Sequence, residues 1–397
     1  MKKYTVKTET LAECKFVADD MILTKDIPTT AGSKMLDGYV SLFEADVLTR
    51  LFDKGYGLAG KTNVGEFNFD LVGETSYNGA MVEDGIIKNA TASAVKDGEA
   101  DFAITLDVNG TNRRATAQSG LVSVKPTYGT VSRFGTIPVA CSGETVSIVA
   151  TNADKCKEVL SVIAGHDDKD GTSLPQKEID KIKEEKELKK VVVLKSMLKG
   201  INSEVSEKIA NVCEILRKNG VEVTEIDDSV IALSNKAWNV LMSAELCNNV
   251  SRYDGVKYGY RAQNFVGIDG LYTNSRTEAF GLLIKSAILF GSETLSTSNY
   301  MKVYDKCLRM RRVIVEEFAK MFASYDAVLM PTCSTFAYTQ ESVQKDMYMP
   351  FTENFYTAPA SITGLPAVVV DGVQFVGNAF SENSLLSLAK VIEKEGK

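Results

Sequence analysis

Apolar positions along the chain alternate between a period of about two and a period of about 3.6, the signature of strands interleaved with helices. Residues 44–54 set Val47, Leu48, Leu51 and Phe52 on one helical face, and Gly55 stands where a C′ cap belongs. The apolar run Tyr56 to Ala59 reads as a strand that ends at Gly60-Lys61-Thr62-Asn63. Phe102, Ile104 and Leu106 alternate as a second strand, and residues 154–164 return to helical spacing before a loop at 167–171. Val191–Leu194, a helix over Ser203–Lys218 (Val205, Ile209, Val212, Cys213 and Leu216 on its face) and Val221–Ile226 form a βαβ unit. Such a crossover predicts parallel, right-handed pairing. Asn299 to Phe322 reads as one long amphipathic helix with Tyr300, Val303, Tyr304, Cys307, Ile314, Phe318 and Met321 on its core face, feeding a strand over Asp326–Met330. Residues 176–190 are a dense charge run, apolar only at Ile179, Ile182 and Leu188, and read as a solvated helix or linker.

Composition narrows this picture. At 397 residues, 44% apolar and 24% charged, the chain has the make-up of an ordinary globular protein large enough for one big α/β domain or two smaller ones. A net charge of −7 argues against direct binding of nucleic acid, which needs a surplus of Lys and Arg. No apolar run approaches the roughly 20 residues of a membrane span, and the first residues, MKKYTVKTETLAE, lack the apolar core of a signal peptide. The seven cysteines are scattered without a CxxC pair and read as buried thiols of a reducing cytoplasm. With one histidine, His166 in a turn after a helix, the chain builds no multi-histidine metal site, and lysine is the more natural base.

The chemistry-bearing stretch is 102–135, FAITLDVNGTNRRATAQSGLVSVKPTYGTVSRFG. Asn109-Gly110-Thr111 after an apolar strand supports two readings. Asn and Gly tolerate positive φ, so converging N–H groups could hold an oxyanion beside a nucleophilic hydroxyl. Equally, Asn-Gly between apolar runs is a strong hairpin signal, and the residues alone favour the hairpin. Lys61, expected just outside the carboxyl end of a strand, is either a solvated lysine or a base at the sheet edge where open α/β folds gather their chemistry.

The run Asp107-Val108-Asn109-Gly110-Thr111-Asn112-Arg113, followed by Val124-Lys125-Pro126-Thr127-Tyr128-Gly129, resembles the signature segment of the amidase signature family. The resemblance implies a three-layer α/β/α fold with a large mixed central sheet over residues 1–397 as one domain, without the family's N-terminal helical portion. It implies no cofactor and no metal. It places the nucleophile at Thr111, where the family has Ser, and the general base at Lys61, since Gly60-Lys61-Thr62-Asn63 with Glu66-Phe67 matches a family segment. Asn109 and Gly110 would face the substrate. Counting back from Thr111 without gaps, the family's proton-relay serine falls on Ile87, which has no proton to pass; Thr91 and Ser93 lie nearby.

Further blocks are similar to one branch of the family, the A-type subunits of tRNA-dependent amidotransferases, which free ammonia from glutamine. They are Thr29–Leu36 (TTAGSKML), Ala164–Asp167, Ser251–Arg261 (SRYDGVKYGYR), Ser275–Gly281 (SRTEAFG) and Tyr356–Pro366 (YTAPASITGLP). By this resemblance Ser286 and Ala287 replace two arginines, one of which holds the glutamine carboxylate; Asn354 replaces an aspartate for the α-amino group. Trp238 takes the place of an aromatic pocket residue, or else is a core or interface anchor. Members of a catalytic set act as a unit, so such losses together imply little glutaminase activity. The reading is therefore a degenerate paralogue that serves as a structural or regulatory partner in the cytoplasm, beside B- and C-type amidotransferase subunits and without direct nucleic-acid or membrane contact. Two alternatives stand beside it: an amide hydrolase or amidotransferase component of altered specificity using Thr111 and Lys61, and a protein that binds a small amide such as glutamine without turnover.

Overall fold

A computed structural model describes residues 3–396. The strands are β1 (Tyr4–Lys7), β2 (Lys15–Asp19), β3 (Gly57–Thr62), β4 (Met81–Glu83), β5 (Ile86–Lys88), β6 (Phe102–Asp107), β7 (Val122–Lys125), β8 (Thr145–Ala150), β9 (Lys190–Leu194), β10 (Glu222–Ile226), β11 (Ala327–Pro331), β12 (Ala367–Val370) and β13 (Val373–Gly377). All but the β4–β5 hairpin join one 11-stranded sheet, ordered β1-β3-β2-β6-β8-β7-β12-β13-β11-β9-β10. Pairing is parallel among β3, β2 and β6 and among β11, β9 and β10, and antiparallel elsewhere, so the sheet is mixed.

Helices cover both faces: α1 (Asp46–Asp53), α2 (Ala90–Lys96), α3 (Thr111–Ser119), α4 (Ala153–Ile163), α5 (Gln176–Ile179), α6 (Ser203–Lys218), α7 (Ser234–Asn249), α8 (Gly267–Ala279), α9 (Leu282–Thr294), α10 (Asp305–Phe322), α11 (Gln340–Lys345), α12 (Met349–Thr363) and α13 (Glu382–Glu395). The inner strands are apolar on both sides, as a strand covered by two layers must be. Phe16, Phe102, Ile104 and Ile148 point into the core shared with α1 and α4, while Val17, Ala103, Val149 and Val369 pack beneath α2 and α3.

The βαβ unit forms as its periodicity predicts, with α6 over Ser203–Lys218 and β9 and β10 parallel. Elsewhere the structure corrects local expectations. Lys61 is not beyond a strand but inside β3, opposite Ala18 of β2. Phe52 and Tyr300 are 38% and 43% exposed rather than core. The long helix opens with a π-helical turn over Tyr300–Tyr304, and α10 proper starts at Asp305. The charged run 176–190 is anchored, because Ile179, Ile182 and Leu188 are all buried. The seven cysteines are free thiols, Cys14, Cys141 and Cys247 only half-buried. Asn109-Gly110 makes no hairpin: Gly110, at φ 78°, caps the N-terminus of α3, so β6 turns straight into a helix.

That turn is locked by a buried ion pair. The Arg113 guanidinium donates to both carboxylate oxygens of Asp107, at 2.8 and 3.1 Å, and its remaining donors reach the Thr357 carbonyl, Gln374 Oε1 and Ser361 Oγ. Burial alone would push the Asp107 carboxyl up, but the guanidinium outweighs it and holds it below the usual range. Arg113 thus ties α3 to α12 and β13 with all of its N–H donors engaged, the geometry in which a buried pair is worth keeping. Arg113→Ala strands the Asp107 charge and is expected to lower unfolding stability by about 3–5 kcal/mol. Urea denaturation followed by circular dichroism checks this; a loss under about 1 kcal/mol would show that the pair is not a keystone.

Candidate functional site

The residues singled out in the sequence form two buried hydrogen-bonded groups. Asn109, Gly110, Thr111, Trp238 and Asn354 meet at the N-terminus of α3. Trp238 Nε1 donates to Asn109 Oδ1 at 3.2 Å, and Thr357 Oγ1 donates to the Asn109 carbonyl. The Asn354 amide lies 2.8 Å from Asn239 Oδ1 and, in its other amide orientation, 2.7 Å from Asn109 Oδ1. Gly110 has no room for a side chain, since a Cβ would sit 2.3 Å from Thr357. Trp238 is 1% exposed, and its ring leaves Gly143 no room for a Cβ, so it is a packing anchor as well as a neighbour of Asn109.

Lys61 belongs to the second group. Its ammonium pairs with Asp20 at 3.0 Å and donates to the Thr29 hydroxyl. Burial pulls the lysine down from its ordinary pKa while Asp20 opposes that pull. Thr111 shares none of these partners: its hydroxyl donates to the Asp70 carbonyl at 2.8 Å and the Asn68 carbonyl at 3.3 Å. Ile87 lies in β5 with its side chain in the apolar layer under α2, and its N–H donates to the Tyr338 carbonyl. The Thr91 hydroxyl meets Thr62 Oγ1 at 2.6 Å.

Over the α3 N-terminus lies the loop 65–76, and the signature residues hold it. The Asn68 carbonyl accepts from Thr111, that of Phe69 from Asn109, that of Asp70 from Thr111 and Arg114, that of Leu71 from Arg114, and that of Val72 from Asn89. From the other side the Glu74 carboxylate accepts the N–H groups of Leu71, Val72 and Gly73. Burial, then the nearby Asp70, push Glu74 up to about 8. Thr111 and Lys61 are 0% exposed, Asn109 and Trp238 1%. A cavity of about 580 Å³ lies outside this cluster, lined by Asn239, Ser286, Phe290, Tyr348 and Phe351 among others, with Lys236 as its cation. Ser286, one of the two positions where the resemblance expects an arginine, lines it, as does Asn239, the partner of Asn354, whereas Lys61, Asn109, Gly110, Thr111, Trp238 and Asn354 do not.

Several residues that organise the region escaped sequence reasoning. Asp19, at the end of β2, accepts the Leu106 N–H and Asn68 Nδ2, both at 2.9 Å, and so links β6 to the residue whose carbonyl accepts from the Thr111 hydroxyl. Burial raises Asp19 to about 7 against those donors. Two acids directly after the apolar Phe16-Val17-Ala18 were the available signal. Glu66, which the sequence marked only as part of a matching segment, joins three distant blocks: its carboxyl accepts from the Ser33 hydroxyl at 2.6 Å and the Gly281 N–H at 2.9 Å. Among the described residues no group of three or more His, Cys, Asp or Glu side chains is placed to hold a metal ion, and no helix is long and apolar enough to cross a membrane.

Comparison with known proteins is consistent along the whole chain. A family model described as Amidase matches residues 5–386. The chain is 34% identical over 394 residues to the A subunit of glutamyl-tRNA(Gln) amidotransferase from Streptococcus pneumoniae, covering 94% of this chain and 81% of that protein. It is likewise 34% identical to the Staphylococcus haemolyticus protein of the same name, over 95% and 82%. The crystal structure of the A subunit of the Thermotoga maritima glutamyl-tRNA(Gln) amidotransferase superposes with a TM-score of 0.81 at 26% identity, covering 99% of this chain and 87% of that one. The urea amidolyase of K. lactis shares the fold at a TM-score of 0.77 and 21% identity, over 96% of this chain and 23% of that one.

Burial, opposed by its two donors, raises Glu66 to about 7. The folded protein therefore keeps a proton that the unfolded chain releases above about 4.5, and stability falls as pH rises from about 4.5 to 7. Glu66→Gln keeps an acceptor for Gly281 and offers Ser33 a donor without the charge. The variant is expected to gain on the parent from pH 5 to about pH 7 and level off above it in urea titrations; a constant difference would show that Glu66 is already ionised in the fold.

Proposed function

The chain belongs to the amidase family, and from that premise we propose that it is a relative of the amidotransferase A subunits that no longer hydrolyses amides and serves as a structural or regulatory partner. The Thr111 hydroxyl carries this reading: it is fully buried and directs its proton into the carbonyls of Asn68 and Asp70. A carbonyl oxygen accepts a hydrogen bond but does not remove a proton at ordinary pH, so nothing touching Thr111 would generate the nucleophile. Lys61 is engaged by Asp20 and Thr29, and Ile87 offers no relay. An amide reaching Thr111 would first have to displace the loop 65–76, with the loss of its buried hydrogen bonds.

The same geometry weighs against the alternatives. A hydrolase of altered specificity needs Thr111 and Lys61 within reach of one proton path, and their hydrogen-bond partners are disjoint. A small-amide pocket needs unpaired donors and acceptors, whereas Asn109, Trp238 and Asn354 satisfy one another. What then remains is the protein's surface. We assign B- and C-type amidotransferase subunits as its partners, on the strength of the 34% identity to two amidotransferase A subunits.

The purified full chain, alone and mixed with B- and C-type subunits, is expected to release no ammonia from glutamine or asparagine above a protein-free blank, with Lys61→Ala and Thr111→Ala at the same baseline. Release by the parent that both substitutions abolish would overturn the reading. Thr111→Ala should also lower unfolding stability by about 1–3 kcal/mol, because it leaves the buried Asn68 carbonyl without its donor. Thr111→Ser keeps that donor and should lose less.

A further inference from the structure

Away from Thr111, the protein carries a larger cavity of about 880 Å³ between the turn after Lys34–Leu36, the segment Thr136–Pro138 and the loop Ser251–Gly259. We propose that this cavity binds a small planar aromatic molecule bearing one anionic group, a phosphate or a carboxylate. Its size lies within the range of about 300–1,000 Å³ typical of small-molecule sites. Leu23, Met35, Ile137 and Pro138 give it an apolar floor. The rings of Tyr39 and Tyr258 stand at its wall 37% and 63% exposed, flat surfaces on which an aromatic body can stack.

Charge sets the second half of the ligand. The cavity is lined by two cations, Arg252 and Lys257, and one acid, Asp37. The Arg252 guanidinium spends Nε and Nη2 on the carbonyl and side chain of Asn249, which fixes its plane. Among the described residues Nη1 has no partner, and neither has the Lys257 ammonium. One guanidinium edge and one free ammonium suit a single phosphate or carboxylate. Asp37 at the rim discriminates against more heavily charged anions.

The wall that carries both cations is built in advance. Asp254 accepts the N–H groups of Val256 and Lys257 at 2.8 and 3.0 Å, closing the turn from within. Gly255 and Gly259 take φ of 74° and 86°, and a Cβ on Gly259 would lie 2.5 Å from Met35 Sδ. The Tyr260 N–H donates to the Met35 carbonyl, and Arg276 donates to the carbonyls of Val250 and Tyr253. Binding therefore orders little that is not already ordered, which favours affinity. Two blocks of the sequence, TTAGSKML and SRYDGVKYGYR, meet here at Met35 and Gly259, and the Thr111 cluster uses neither contact.

Isothermal titration of the full chain with AMP and with indole-3-propionate tests the two anion sources, with adenosine and inorganic phosphate as controls. At least one aromatic anion should bind saturably at one site, with both controls at least tenfold weaker. Lys257→Ala and Tyr258→Ala, both at exposed positions, should each weaken that binding at least fivefold while leaving the thermal midpoint unchanged. Binding of AMP alone would identify a nucleotide-type ligand, and binding of indole-3-propionate an aromatic acid. Absence of binding by both, phosphate binding as tightly as AMP, or affinities unmoved by the two substitutions would overturn the proposal.

Discussion

The carbonyl row from Asn68 to Val72 is the constraint around which this half of the molecule is arranged. The first four oxygens are met by side chains at the start of α3 (Thr111, Asn109 or Arg114), and that of Val72 by Asn89 at the start of α2. Aiming five successive carbonyls in one direction bends the backbone severely. Phe67 and Asn68 both adopt left-handed conformations, at φ 55° and 50°, each costing on the order of 1–3 kcal/mol. Gly65 must be glycine, because a Cβ would fall 1.8 Å from Asp70 Oδ2. Such strain persists only where surrounding bonds over-determine it, and the side chains of the signature segment supply those bonds.

Electrostatics keeps the arrangement shut. The charges beneath the loop are paired or closely flanked: Asp107 with Arg113, Asp20 with Lys61, Asp70 with Arg114 nearby. Lys125 at the end of β7 donates to the carbonyls of Pro126 and Leu365, and burial followed by the Arg113 charge lowers it to about 7. A low-dielectric interior of this kind strengthens pairs already made and penalises any charge newly created. An alkoxide or a tetrahedral oxyanion at Thr111 would be such a charge. The N–H groups at the start of α3 could in principle receive one, but the hydroxyl's own proton is pointed the other way.

Much of this was legible in the residues. Period-3.6 spacing located α6 because that helix buries one face, and short apolar runs located β6 and β9 because those strands are buried on both. The pattern failed at Phe52 and Tyr300, which stay 38% and 43% exposed; Phe52 tilts against the buried ring of Phe16. The resemblance supplied the mixed character of the sheet but not its strand order, which no local pattern encodes, since β1 to β3 and β11 to β9 are joined across long stretches of chain. It was least informative about contacts. Lys61 and Thr111 look like partners in a motif, yet Asp20 captures one and the Asn68 and Asp70 carbonyls the other. Nothing at positions 61 or 111 announces this; the signal lay in Asp19-Asp20 and Asn68-Phe69-Asp70, polar residues embedded among apolar ones.

A signature segment at the end of a strand has two separable physical duties. It must satisfy the buried backbone around a helix N-terminus, and in an enzyme it must also present a reactive oxygen to solvent-borne substrate. The first duty alone requires Asp107 for Arg113, a glycine at 110 against Thr357, a hydroxyl at 111 and an amide at 109. These are the same residue types the second duty requires. Their presence is therefore weak testimony to catalysis, because removing any of them would strand a buried donor, acceptor or charge whether or not chemistry occurs. What distinguishes the two duties is the far side of the hydroxyl. An open face with a base beside it suits the second duty; a hydroxyl that donates to two carbonyls, as Thr111 does, serves the first.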